Sequence, residues 1–302
     1  MDEWVRKHPP SPLDPEYSAR AMAAARERAL APSPQGLSHA ELERQVRQEF
    51  SAHLANELMA LARPAIGLWP QQPSADASPT ASRFGGMPVV PQGWSWPCCA
   101  GEPLFFLAQL DCADLAHLAA ASSLPHQGLL AFFGDHDWVN GCMPRFSPKA
   151  AVFYWPTMVS LSLVETPIED FTVFPACALN FFETFDLPHP LSDAVAALDF
   201  DGDEERRYQD FHEALSAEAH GVGKSRFQID ISKLFGWPDL IQNELEGDAG
   251  RQEFRPLLQM GSYENGIESH GWGPGGNLYF TIREEDLGAE RFQRCAVDMQ
   301  CT

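Results

Sequence analysis

Residues 104–115 read Leu-Phe-Phe-Leu-Ala-Gln-Leu-Asp-Cys-Ala-Asp-Leu, and residues 278–287 read Leu-Tyr-Phe-Thr-Ile-Arg-Glu-Glu-Asp-Leu. Each is a short, aromatic-rich apolar run that opens onto an acidic stretch. Carboxylates suit a first helical turn because they face the positive end of the helix dipole. Both segments therefore predict a strand that runs straight into a helix start, and their likeness fits either a duplicated unit or coincidence. Working outward, the apolar runs place further strands at 129–133, 152–155, 159–164, 171–174, 227–231, 257–260 and 295–299. Helices are expected at 112–121, 191–198, 204–219 and 237–245. The 25 prolines and 22 glycines put turns between these runs and favour short strands over long helices, so the core is expected to be β-rich.

The first 64 residues have a different texture. Residues 16–31 are alanine-rich and lie between Pro9, Pro10, Pro12 and Pro15 on one side and Pro32 and Pro34 on the other, which reads as a helical arm. Ser38 with Glu41 makes a capping box. Leu42, Val46, Phe50, Leu54, Leu58 and Leu61 then recur at spacings of four and three until Pro64, predicting one amphipathic helix packed on the core. The chain thus divides into an N-terminal helical extension, 1–64, and a main domain, 65–302.

Composition narrows the function classes. A net charge of −21 from 42 acidic and 21 basic residues repels nucleic acid and anionic lipid and attracts cationic partners. Residues 1–70 hold eight Lys/Arg against nine Asp/Glu, so nearly all of the excess lies in the main domain. No apolar run is long enough to span a bilayer. Seven cysteines with no C-x-x-C spacing indicate neither a disulfide framework nor a zinc knuckle, and the expected location is a reducing cytoplasm.

Several motifs resemble chemistry by spelling alone. Gly271-Trp-Gly-Pro-Gly-Gly276 precedes a strand instead of following one, so it lacks the context of a dinucleotide site. Gly223-Lys224-Ser225 lacks the first glycine of a P-loop. Asp199, Asp201 and Asp203 have part of a calcium loop's spacing, but Glu204 stands where that loop needs glycine, and the acids serve equally well to cap the next helix. No histidine pair has metal-ligand spacing and no nucleophile elbow occurs. No catalytic residue, metal site or cofactor is therefore expected.

One stretch departs from the rest. Between Lys149 and Arg206 there is no Lys or Arg, while Glu165, Glu169, Asp170, Glu183, Asp186, Asp193, Asp199, Asp201, Asp203, Glu204 and Glu205 all occur. These side chains must be solvated or meet positive charge from elsewhere. Taken together they are a candidate docking surface for a basic protein.

Phe84-Gly-Gly-Met-Pro88, Pro103-Leu-Phe-Phe-Leu-Ala-Gln-Leu110, Gly128-Leu-Leu-Ala-Phe-Phe133, Leu234-Phe-Gly-Trp-Pro-Asp-Leu-Ile-Gln242, Leu257-Leu-Gln-Met260 and the ending from Gly276 to Cys301 together resemble the YwqG-like family. The resemblance runs from about Ala65 onward. It implies an α+β fold, with an antiparallel sheet-rich core of YwqG-like type, peripheral helices and the N-terminal helical extension. Family members recur among proposed immunity proteins beside secreted toxins. By that analogy the chain would bind a cognate toxin, a basic nuclease, through Glu165, Glu169, Asp170, Glu183, Asp186, Asp199, Asp201 and Asp203. The alternative is a small-molecule site or an enzyme of unknown class, using a pocket of Trp237, Asp239, Gln242, Trp272 and Tyr279. Two features depart from the family pattern: Ser232 stands where members often have histidine, and residues 1–64 fall outside the match.

Overall fold

The computed structural model describes residues 30–135, 150–158, 160–168, 174–224, 229–245, 254–264, 269–272 and 275–302. The expected arm at 16–31 lies almost wholly outside them. Where one amphipathic helix was expected there are two, α1 (His39–Glu49) and α2 (Ala52–Ala60). Phe50 is extended at φ −117°, and Ser51 starts a second helix by accepting the Leu54 N–H, as Ser38 accepts that of Glu41. A second serine cap within the periodic run lets the chain bend while Leu42, Val46, Leu54 and Leu58 all stay buried.

The strands follow as β1 (Arg63–Gln71), β2 (Arg83–Phe84), β3 (Val89–Pro91), β4 (Cys98–Cys99), β5 (Glu102–Pro103) and β6 (Phe105–Asp111). After α3 (Cys112–Leu115) come β7 (Leu129–Gly134), β8 (Ala150–Trp155), β9 (Leu161–Leu163) and β10 (Cys177–Asp186). Next are α4 (Asp193–Ala196), α5 (Glu204–His220), β11 (Lys233–Phe235), β12 (Phe254–Met260), β13 (Tyr263–Glu264) and β14 (Ser269–His270). The chain ends with β15 (Gly276–Arg283), α6 (Glu284–Gly288) and β16 (Ala296–Cys301).

Ten of these strands form one antiparallel sheet in the order β16-β15-β12-β11-β1-β10-β2-β6-β7-β8. The fold is α+β, as the resemblance implied. The order has an internal symmetry: β1, β2, β6, β7, β8 on one side correspond to β10, β11, β12, β15, β16 on the other. The first strand of each set pairs with the second strand of the opposite set, β1 with β11 and β10 with β2. The two acidic-helix segments quoted above occupy β6–α3 and β15–α6, which do not correspond under this symmetry, so their likeness is that of a repeated local device.

The sheet curls. Phe132 on β7 and Phe280 on β15 are seven places apart in the strand order, which in a flat sheet means roughly 34 Å, yet their ring centroids lie 5.2 Å apart. The main core, including Phe84, Trp272, Leu258 and Ile282, fills the inside of this curl. A second cluster forms where α1, α2 and α5 converge on Leu187 and Val195. Phe50 there meets Phe211 edge-on at 5.2 Å.

Three sequence expectations are corrected. Residues 237–245 are a loop, because side-chain amides of neighbouring strands take its N–H groups: Gln259 accepts from Asp239, and Gln300 from Ile241 and Gln242. The expected helix 112–121 splits into α3 and a 3-10 turn at Ala119–Ala121. The expected strand 159–164 shortens to β9, which pairs with β3 outside the main sheet. Residues 171–173 and 227–228 lie outside the described residues; beyond them Phe174 is not in a strand and 229–230 form a turn.

Candidate functional site

The acidic stretch divides when folded. Glu169 and Asp170 lie outside the described residues. Glu165 is exposed, and Glu183 is exposed while its carboxylate accepts the Ala120 N–H at 2.7 Å. Asp199, Asp201 and Asp203 are exposed in the turn before α5, where Asp201 Oδ1 accepts from the N–H groups of Asp203 and Glu204. Asp193, Glu205, Asp210 and Glu218 extend this exposed flank. Three nearby arginines are engaged with other acids, Arg44 with Glu41, Arg47 with Glu43, and Arg207 with Glu49 at 3.9 Å, while Arg206 is exposed on α5 within the flank.

Asp186 belongs elsewhere, and its assignment to a surface is corrected. It is 7% exposed, and its Oδ2 accepts from Lys233 Nζ at 2.8 Å. Lys233, 2% exposed, also meets Asp239 Oδ2 at 2.7 Å, and His220 Nε2 lies 3.2 Å from Asp186 Oδ1. Gln259 completes the set by donating to Asp239 Oδ2 at 2.8 Å. Burial by itself would raise the Asp186 pKa, but the Lys233 charge and the His220 contact outweigh it and hold the carboxyl well below its usual range. For Lys233 burial acts downward and the two carboxylates outweigh it, so the ammonium is held above its usual range. A lysine kept charged by two carboxylates is a structural cation and not a nucleophile.

Each of the five residues of the alternative pocket is engaged within the fold. Trp272 and Tyr279 are buried core side chains, the first donating to the Gly261 carbonyl at 3.1 Å and the second to that of Asp239 at 2.6 Å. Asp239 is spent on Lys233, Gln242 donates to the Cys301 carbonyl, and Trp237 Nε1 donates to that of Leu61 at 2.7 Å. The bonds of Asp239, Gln242 and Tyr279 tie the 237–245 loop to the sheet, and Trp237 ties it to the end of α2.

The space lies one residue upstream. An open groove of about 770 Å³ is lined by Arg63, Pro64, Phe235, Gly236, Phe254, Arg255, Pro256, Arg283, Glu284 and Glu285. It contains none of the five expected pocket residues, although Gly236 opens the same Gly-Trp-Pro-Asp motif. Three strands supply its arginines: Arg63 from β1, Arg255 from β12 and Arg283 from the end of β15. Each guanidinium lies over an aromatic ring, at 3.4 Å from the Trp237 centroid, 4.4 Å from Phe235 and 5.1 Å from Phe254 respectively. Burial, with the Arg255 charge adding to it, lowers the pKa of Arg63. Arg255 also meets Glu284 at 2.9 Å.

The groove floor is strained. Phe235 has φ +61°, a left-handed conformation that costs a non-glycine residue about 1–3 kcal/mol. Gly236 follows at φ +69°, and a Cβ there would lie 2.3 Å from Asp186 Oδ2. The buried Lys233–Asp186 pair thus sits directly beneath the groove. Sequence reasoning missed Lys233 and all three arginines. The available signal was a lysine inside the apolar run Ile231-Ser-Lys-Leu-Phe235, where a charge needs a buried partner. Among the described residues no cluster of His, Cys, Asp and Glu could hold a metal ion, and no helix is long and apolar enough to cross a membrane.

The profile of a family described as "Domain of unknown function (DUF1963)" matches residues 82–301, well over half of the chain. The match includes the whole of the acidic flank, Lys233, Arg255 and Arg283, and leaves Arg63 outside. No curated protein matches the chain.

Proposed function

This chain belongs to the DUF1963 family, which includes the YwqG-like proteins, and from that premise we propose that it is a protein-binding inhibitor of the immunity type. It acts by binding, in the cytoplasm of the producing cell, and its partner is a toxin with a basic, nucleic-acid-binding surface. The observation that carries this reading is the exposed flank from Asp193 to Glu218. Asp193, Asp199, Asp201, Asp203, Glu205, Asp210 and Glu218 all reach solvent there, against the one exposed arginine Arg206, while Arg44, Arg47 and Arg207 are engaged by other acids. A field of one sign over one flank steers an oppositely charged partner and raises its association rate by roughly ten- to a thousand-fold. A nuclease surface that binds phosphates is necessarily basic, and occluding it blocks its activity without chemistry by the inhibitor.

Co-expression with the product of the neighbouring reading frame tests the proposal. A stable complex and rescue of growth are expected; growth arrest with no complex overturns it. Within such a complex, replacing Asp199, Asp201 and Asp203 together by Asn is expected to slow association about tenfold at low salt and to flatten its salt dependence.

A further inference from the structure

We propose that the groove between Arg63, Arg255 and Arg283 is a binding site for a small organic oxyanion, a phosphate monoester or a carboxylate carried on an apolar body. The site is separate from the acidic flank, and the proposal does not depend on the immunity reading.

Charge supplies the first argument. A chain with 21 basic residues against 42 acidic ones brings three arginines from three strands to one groove. Arg63 is solvent-exposed beside Arg255, with its pKa pushed down by desolvation of the guanidinium and by the Arg255 charge, and among the described residues it makes no ion pair. An anion beside Arg63 would relieve its repulsion with Arg255, the one charge-charge effect between these arginines that lowers its pKa.

Geometry supplies the second. A guanidinium stacked on an aromatic ring is held in place by its face and keeps its N–H edges for in-plane donation, the arrangement that suits a planar or tetrahedral oxyanion. Arg63 on Trp237 and Arg255 on Phe235 are held in this way. Phe235 carries the left-handed backbone noted above, which places strain at the groove floor and not elsewhere in β11.

Shape and surroundings limit the ligand. The volume of about 770 Å³ lies within the range of small-molecule sites, and Pro64, Pro256, Phe235 and Phe254 give it apolar walls. Glu284, with a side chain 70% exposed, holds Arg255 on the solvent side, where a ligand can compete for it. Glu285 stands at the same rim. These two acids, and the charge of the whole chain, disfavour a polyanion such as nucleic acid and leave a compact ligand of one or two charges.

Calorimetric titration of the full chain at physiological ionic strength tests the site, using phenyl phosphate, benzoate, inorganic phosphate and benzyl alcohol. Phenyl phosphate or benzoate should bind, and which of them binds tighter distinguishes the phosphate source from the carboxylate source. Arg63→Gln with Arg255→Gln should weaken binding at least about tenfold, the loss of one or more charge-assisted hydrogen bonds. Glu285→Gln, at an exposed position, should tighten it several-fold, a gain that misfolding cannot mimic. If the double variant does not fold, Arg255→Gln alone carries the loss arm. The proposal is overturned if benzyl alcohol binds as well as the anions, if inorganic phosphate binds as tightly as phenyl phosphate, if neither organic anion binds, or if the arginine and Glu285 variants leave affinity unchanged.

Discussion

Asp186 and Asp201 come from the same stretch without Lys or Arg, fifteen residues apart, and end in opposite surroundings. Asp186 is buried against a lysine 47 positions away in sequence, while Asp201 is exposed and serves the backbone at the start of α5. The difference lies in what removal of the partner would cost. A carboxylate in water is stabilised by water whatever its neighbours do; one in the interior depends on a specific cation, because burial without it is prohibitive. The carboxylates of this stretch are therefore two populations, one buried and paired within the fold and one exposed to solvent.

The largest test of that division is Lys233→Met. It leaves Asp186 and Asp239 buried without their cation and is expected to destabilise the protein by roughly 3–5 kcal/mol, measured as a fall in the urea unfolding midpoint. A loss below about 1 kcal/mol would place the pair with ordinary surface ion pairs and erase the contrast. Next in size is Gly236→Ala, whose new methyl would meet Asp186 Oδ2 on a left-handed backbone; a loss of at least about 2 kcal/mol is expected, and a smaller one would mean that the groove floor yields freely.

Acid titration sharpens the same comparison. Asp186 has a folded pKa below its unfolded value, so its contribution is fully present above the ordinary carboxylate range, about pH 4, and is lost as pH falls through the lower folded value. Asp186→Asn should flatten that acid limb. Burial also lowers the pKa of His212. The unfolded chain therefore takes up a proton near pH 6.5 that the folded chain refuses, and stability should begin to fall below that pH, by at most about 1.4 kcal/mol per pH unit. His212→Gln should remove this earlier step; a stability curve unchanged by it would sink the assignment. The smallest effect is expected from Asp199→Asn, Asp201→Asn and Asp203→Asn. Each should change stability by no more than about 0.5 kcal/mol, because Asn keeps the capping acceptor that Asp201 supplies. A larger loss would show that this flank is structural too.

Much of the fold was legible because local chemistry decided it. The strands at β6, β7, β8, β12, β15 and β16 and the long helix α5 follow from apolar runs, turn residues and acidic helix starts. The two central strands were not read. β1 carries Pro64 and Pro70 near its ends and Gly67 in its middle, a composition that argues against a strand. Gly67 is there because Phe182 of β10 packs onto its Cα, 2.0 Å from where a Cβ would stand. β10 mixes Asn180, Glu183 and Asp186 among its aromatic residues, and that pattern makes sense only once its neighbours are known. The 237–245 loop was misread as a helix because its N–H acceptors, Gln259 and Gln300, lie on other strands.

Short strands with helices at acidic starts, the large negative charge and the family resemblance could all be read from the amino-acid order alone. These depend on neighbours within a few residues or on bulk composition. Folding in space was needed to lock Asp186 to Lys233 while Asp199, Asp201 and Asp203 stay in water, and to bring Arg63, Arg255 and Arg283 to one groove. Desolvation and Coulomb energies depend on distance and burial in space, and the curled sheet brings together residues as far apart as 63 and 283.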